Sequence, residues 1–180
     1  MSRTDEAITL HQLGQHQAAL RVLDTAHAES PHDAELWYLR GRLLDDQGRP
    51  GLAAGAYRRA IDLDPNHRLA WNNLAWLEGR QDPQQGITRY KRLLQRFGDH
   101  PTPWHNLACL LRDQGHLELA LHGFTRALAL DGSRAPMWFN LGKLHLLLGS
   151  PHEARAAFEQ ALVCDADFDV ASEAIEALDA

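Results

Sequence analysis

Four of the five tryptophans recur at an almost constant interval: Trp37 to Trp71 is 34 residues, Trp71 to Trp104 is 33 and Trp104 to Trp138 is 34. Other residues keep step with them. Gly48, Gly115 and Gly149 each follow a tryptophan by eleven places, and Ala53, Ala120 and Ala154 by sixteen. Ala60, Ala127 and Ala161 come seven residues after those alanines, with the aromatics Tyr57, Tyr90, Phe124 and Phe158 lying between the two alanine positions. Several registers in phase at a period of a few tens of residues mark one supersecondary unit stacked many times.

The pattern within a period is that of a helical hairpin. The first helix carries the tryptophan and, four places on, a small residue (Gly41, Ala75, Ala108, Gly142), which lets a second helix approach closely. A glycine turn follows, then a second helix with small alanine positions. Pro50, Pro83 and Pro151 fall at the start of that second helix, where the first turn needs no backbone donor. Each hairpin exposes an apolar face that only the next hairpin can cover, so the units stack.

These residues resemble the tetratricopeptide repeat (TPR) family. The segments AELWYLRGRLLDDQGRPGLAAGAYRRAIDLDPNH (34–67), PTPWHNLACLLRDQGHLELALHGFTRALALDGSR (101–134) and APMWFNLGKLHLLLGSPHEARAAFEQALVCDADF (135–168) carry the likeness. The first is close to the whole family pattern, including the closing Asp64-Pro65. Stepping back 34 residues brings Gly14, Ala19, Ala26 and Pro31 into register, so residues 1–33 read as a first repeat. Arg3 stands there in place of tryptophan, which suits an exposed end of a stack. Residues 169–180 read as one amphipathic capping helix. The resemblance implies an all-α, right-handed superhelical solenoid of about five repeats: a single domain over 1–180, with repeats 1–33, 34–67, 68–100, 101–134 and 135–168.

The third unit departs from the others. Its turn, Gln81-Asp82-Pro83, is one residue short; Gly86 and Leu93 replace two alanines, and Gly98 replaces the closing proline. Exchanging small and large residues at packing positions changes how a helix docks. The expectation is a local change of curvature or a hinge; an irregular repeat without functional meaning is the alternative.

In this family the first helices of successive repeats line a concave groove that holds an extended peptide. The resemblance therefore assigns groove positions: Tyr38, Leu39 and Arg42; Asn72, Asn73 and Trp76; His105, Asn106 and Cys109; Phe139, Asn140 and Lys143. Arg80 and Arg112 lie a further turn on, with Asp45, Asp46 and Asp113 among them. Asn73, Asn106 and Asn140 each follow a tryptophan by two places. A carboxamide both donates and accepts, so it can pair with any peptide backbone. The arrangement is similar to the asparagine ladder of glycosyltransferase superhelices, although asparagine is also simply common at this repeat position. Trp76 stands where a polar residue is usual, as an interface anchor or as packing for the altered third repeat. The cations Arg42, Arg80, Arg112 and Lys143 favour a partner segment with carboxylates; a solvated charged face is the alternative. The two-carboxylate clamp of chaperone-binding members needs lysine and asparagine four apart, and none of Tyr38/Arg42, Asn72/Trp76, His105/Cys109 or Phe139/Lys143 matches.

Composition excludes other classes. A net charge of −6 argues against nonspecific nucleic-acid binding, which needs a basic face. No apolar run approaches the roughly 18 residues of a membrane span. Cys109 and Cys164 form no C-x-x-C pair, and there is no glycosylation sequon. With no signal-peptide pattern at the start, a cytoplasmic location is expected. The eleven histidines form no H-E-x-x-H pattern, and His11 and His16 are five apart, so no metal is expected. No phosphate loop or nucleophile elbow is present, and His105 with Cys109 lacks a third group to orient it. No cofactor and no catalytic residue are expected. The reading is a protein-interaction adaptor or chaperone-like module; the alternatives are a scaffold that assembles into homo-oligomers, or a non-catalytic TPR subunit of an enzyme or secretion complex.

Overall fold

The computed structural model describes residues 2–179, which form eleven α-helices and no strand. They pack as two compact units, residues 1–81 and 82–180, and the division falls in the shortened Gln81-Asp82-Pro83 turn.

The first unit holds α1 (Arg3–Gln12), α2 (His16–Glu29), α3 (Ala34–Asp46), α4 (Pro50–Leu63) and α5 (Arg68–Gln81). Helices α1/α2 and α3/α4 are antiparallel hairpins, with α2 packed on α3 and α4 on α5. The hairpin turns close through Gly14 and Gly48 at φ +72° and +68°, a left-handed conformation that costs a residue with a side chain 1–2 kcal/mol or so. Pro50 opens α4 at its first turn. The small residue four places after the tryptophan has a definite purpose in this hairpin. A Cβ on Gly41 would lie 2.5 Å from the Tyr57 ring, which is fully buried between Ala53 and Ala60.

The tryptophans themselves fasten the loops between repeats. Trp37 Nε1 donates to the Pro31 carbonyl at 3.4 Å and Trp71 Nε1 to that of Pro65 at 3.1 Å, in each case six residues upstream. Neighbouring repeats are further tied by Arg40 to Asp24 and by Arg58 to the buried Glu78 at 3.1 Å, and His67 closes the second repeat on its own first helix through Glu35 at 3.1 Å. At the first repeat Arg3 takes the tryptophan position. It is exposed and chelates the Glu29 carboxylate through Nε (2.8 Å) and Nη2 (2.6 Å).

The second unit holds α6 (Pro83–Phe97), α7 (Pro101–Asp113), α8 (Leu117–Leu130), α9 (Ala135–Leu147), α10 (Pro151–Cys164) and α11 (Asp169–Asp179). Helices α7/α8 and α9/α10 are hairpins, α6 packs on α7, α8 on α9, and α11 covers α10. The same devices recur. Gly115 and Gly149 turn at positive φ, and Trp104 and Trp138 Nε1 donate to the Gly98 and Gly132 carbonyls at 2.9 and 2.8 Å. Asp82 caps α6 by accepting from the Gln84 and Gln85 amides. Leu93 and Gly86, which replace the usual alanines, are both buried. A Cβ on Gly142 would approach the Phe158 ring to 2.4 Å. In the α7/α8 hairpin the economy is reversed: Ala108 occupies the first-helix position, and glycine appears opposite it as Gly123, whose added Cβ would meet the Ala108 methyl at 2.9 Å. The capping helix α11 buries Ala171 completely and leans Ile175 and Leu178 on the Phe158 core.

Candidate functional site

Each unit presents the face formed by its first helices. In the first unit this face is built from α1, α3 and α5. Trp76 is 41% exposed there, an unusual state for so large an apolar side chain, and Arg42 and Arg80 are exposed as well. Tyr38 and Leu39, assigned to the groove from the resemblance, are buried. The Tyr38 ring packs on Tyr57 (centroids 6.0 Å apart) and on His67 (4.8 Å), so it belongs to the hairpin core. Burial raises the pKa of its hydroxyl above the ordinary tyrosine value, with Arg42 and Asn73 pulling the other way. Asn73 Nδ2 also donates to Tyr57 Oη at 3.3 Å, and its Oδ1 accepts from Asn72 at 3.3 Å. Asn73 is thus spent largely on the preceding hairpin. Asp45, at the end of α3, has its pKa raised by burial and by Asp46, with Arg80 pulling the other way. The cations of this face are therefore partly answered from within.

In the second unit the face is formed by α7 and α9, which are in direct contact. Arg112 is the organising group, its side chain only 12% exposed. It donates from Nε to Asp113 at 2.9 Å and from Nη1 to Asn140 Oδ1 at 2.9 Å. A guanidinium only donates, so the oxygen of the Asn140 amide must face it. That leaves Asn140 Nδ2 to donate to the Pro136 carbonyl at 3.0 Å and toward His105 Nε2 at 3.4 Å. His105 Nε2 then acts as acceptor, and the ring proton sits on Nδ1, a buried atom without a hydrogen-bond partner. Burial first, then Arg134 and Arg112, lower the His105 pKa to about 4.

Cys109 Sγ lies 3.6 Å from the same Nε2 and is itself buried, which raises its pKa to about 11. At neutral pH both groups are uncharged, so the pair holds no thiolate and no imidazolium. Asn106 bonds the hydroxyl of the buried Tyr90. Phe139 is half-buried between Phe158 (5.4 Å) and Phe168 (5.6 Å), and the exposed Lys143 lies with Nζ 5.7 Å above its ring.

Sequence reasoning assigned Asn73, Asn106 and Asn140 one common role, but their partners differ. Asn73 and Asn106 reach Tyr57 and Tyr90, each sixteen residues upstream. The equivalent residue for Asn140 is Phe124, which has no hydroxyl, and Asn140 turns to Arg112 and His105 instead. The signal was present in the sequence as the change from tyrosine to phenylalanine.

A family model for the tetratricopeptide repeat matches residues 4–68, 40–93 and 105–169. The chain belongs to the tetratricopeptide repeat family. Repeats of this family generally mediate protein–protein interaction. This TPR chain is similar to the human protein O-mannosyl-transferase TMTC3, 27% identical over 143 residues, and to the rat mitochondrial import receptor subunit TOM70, 25% identical over 134 residues. The matches take in 77% and 73% of the chain but only 16% and 22% of those two proteins. Among solved structures it resembles TTC0263, a thermophilic TPR protein of Thermus thermophilus, with a TM-score of 0.80 and 19% identity over 98% of this chain and 96% of that one. At that identity the likeness is one of fold. Among the described residues, no helix is long and apolar enough to cross a membrane.

Proposed function

We propose that this TPR chain is a non-catalytic adaptor whose first-helix faces hold a partner protein through an extended, carboxylate-bearing segment. The observation that carries this reading is the Arg112 arrangement on the α7/α9 face. The Arg112 guanidinium is held there by Asn140 and Asp113, beside the exposed Lys143, and the two titratable groups behind it, His105 and Cys109, stay neutral. Preorganised donors bind an anion without a fresh ordering cost. Arg112 already pairs with Asp113, whose own side chain is exposed, so a partner carboxylate competes there with a neighbour one residue away. Exposed Trp76, on the face of the first unit, supplies a rigid apolar anchor of the kind that dominates protein interfaces.

Cross-linking with mass spectrometry in the native host identifies the partner segment. Titration of that segment, and of a version with its carboxylates amidated, against the wild-type chain, Arg112→Gln, Lys143→Gln and Trp76→Ala then tests the faces. Loss of affinity on amidation and in the variants supports the reading, and equal affinity throughout rejects it. Sedimentation at several concentrations separates this reading from self-assembly.

A further inference from the structure

The expectation that the histidines hold no metal rested on their spacing in the sequence, where His11 and His16 are five apart. They lie on two helices, at the end of α1 and the start of α2, and the Gly14 turn folds one over the other. His11 Nδ1 and His16 Nδ1 are 3.2 Å apart, with the rings tilted at 53° and their centroids 5.2 Å apart. The far nitrogen of His11, Nε2, is 2.8 Å from Asp46 Oδ2 on α3, and the His11 side chain is 17% exposed.

We propose that this pair is a two-histidine site for a divalent transition-metal ion of the zinc class, bound through both Nδ1 atoms. Two nitrogens each about 2.0–2.1 Å from a tetrahedral zinc lie roughly 3.3 Å apart, so the imidazoles already have the bite that such an ion requires. Imidazole is a preferred ligand of these ions. The remote nitrogen of a metal-bound histidine characteristically donates to a carboxylate, which fixes the tautomer and raises the basicity of the ligating nitrogen. Asp46 stands in that position on His11.

The proton balance is simple. Because His11 Nε2–H is given to Asp46, the one proton between the two Nδ1 atoms belongs to His16. On binding, that proton moves to His16 Nε2 and the cation takes its place, without a net change of charge on either ring. Among the described residues no group of three or more His, Cys, Asp or Glu side chains converges on one point. The protein supplies two ligands, and water completes the sphere. The site would join α1, α2 and, through Asp46, α3, and so would tie the first repeat to the second.

Calorimetric titration of the untagged full chain with zinc chloride at neutral pH provides the test. The expected result is one ion per chain, bound at least tenfold more weakly by His11→Ala and by His16→Gln, and 10–100-fold more weakly by Asp46→Asn. Circular dichroism checks that each variant is folded. Nitrogen-15 spectra of the wild-type rings give a reading that no variant is needed for: zinc should move His16 to the Nε2–H tautomer and shift both Nδ1 resonances. Zinc affinity that is the same in the wild type and both histidine variants, or ring resonances that do not move at saturating zinc, would overturn the proposal.

Discussion

Arg112 Nη1 donates to Asn140 Oδ1 at 2.9 Å across the α7/α9 contact, and this one bond decides which way the amide faces and therefore where the proton of His105 lies. Replacing Asn140 by leucine leaves a largely buried guanidinium with one acceptor fewer. The expected cost is about 1–3 kcal/mol of unfolding free energy, the usual penalty for orphaning a buried charged donor. Arg112→Met alone removes the donor as well as the charge and should cost less than Asn140→Leu. In urea unfolding the double variant should recover part of the sum, since both residues share one interaction.

His105 makes stability depend on pH in a definite window. Its folded pKa of about 4 lies below the ordinary 6.5, so the unfolded chain binds this proton more readily than the folded one. The stability tied to the neutral ring is complete above pH 6.5 and falls as pH drops from 6.5 to about 4, with little further loss below. The whole span is worth up to about 3 kcal/mol. Urea unfolding at pH 7, 6, 5 and 4 should show a shallower decline for His105→Gln than for the wild type; parallel declines would contradict the burial of this ring.

Two glycines in the same kind of element should respond oppositely to alanine. A Cβ on Gly142 would stand 2.4 Å from the fully buried Phe158 ring, so Gly142→Ala forces α9 and α10 apart and should cost about 1–3 kcal/mol. Gly55, exposed within α4, has nothing within 4 Å of the same added atom. Gly55→Ala should stabilise by roughly 0.5–1 kcal/mol through helix propensity alone. Thermal melts of the two variants beside the wild type settle both signs.

Most of the hairpin architecture could be read from the sequence because it depends on residues with narrow backbone requirements. Gly48, Gly115 and Gly149 are needed at positive φ, and Pro50, Pro83 and Pro151 fit only a first helical turn, so each fixes a boundary without tertiary information. The stacking partners followed from the same period. The orientation of side chains on the first helices was less legible. Tyr38 looked like a groove residue from its place after Trp37, but its ring packs on Tyr57 of the adjoining second helix and on His67 in the connection that follows that helix. Asn140 looked equivalent to Asn73, but a single missing hydroxyl at Phe124 sends it to different partners. The His11/His16 approach was hidden for a third reason: a five-residue spacing means nothing definite until the turn between the helices is known.

The five tryptophans divide into two groups that experiment can tell apart. Trp37, Trp71, Trp104 and Trp138 each donate from Nε1 to a carbonyl six residues earlier, closing the loop that enters their repeat. Trp76 stands outside that series and is 41% exposed. Trp138→Phe keeps most of the apolar surface and loses the 2.8 Å bond to Gly132, so its cost should be about 0.5–1.5 kcal/mol plus the lost ring contacts. Trp104→Phe should behave alike through its 2.9 Å bond to Gly98. Trp76→Phe should leave stability within about 0.5 kcal/mol of the wild type, as surface changes do. Its fluorescence should be the most accessible to iodide quenching, and the variant should lose that quenchable component. A Trp76→Phe chain that melts as early as Trp138→Phe would show that this indole supports the helix packing and is not held ready for a partner.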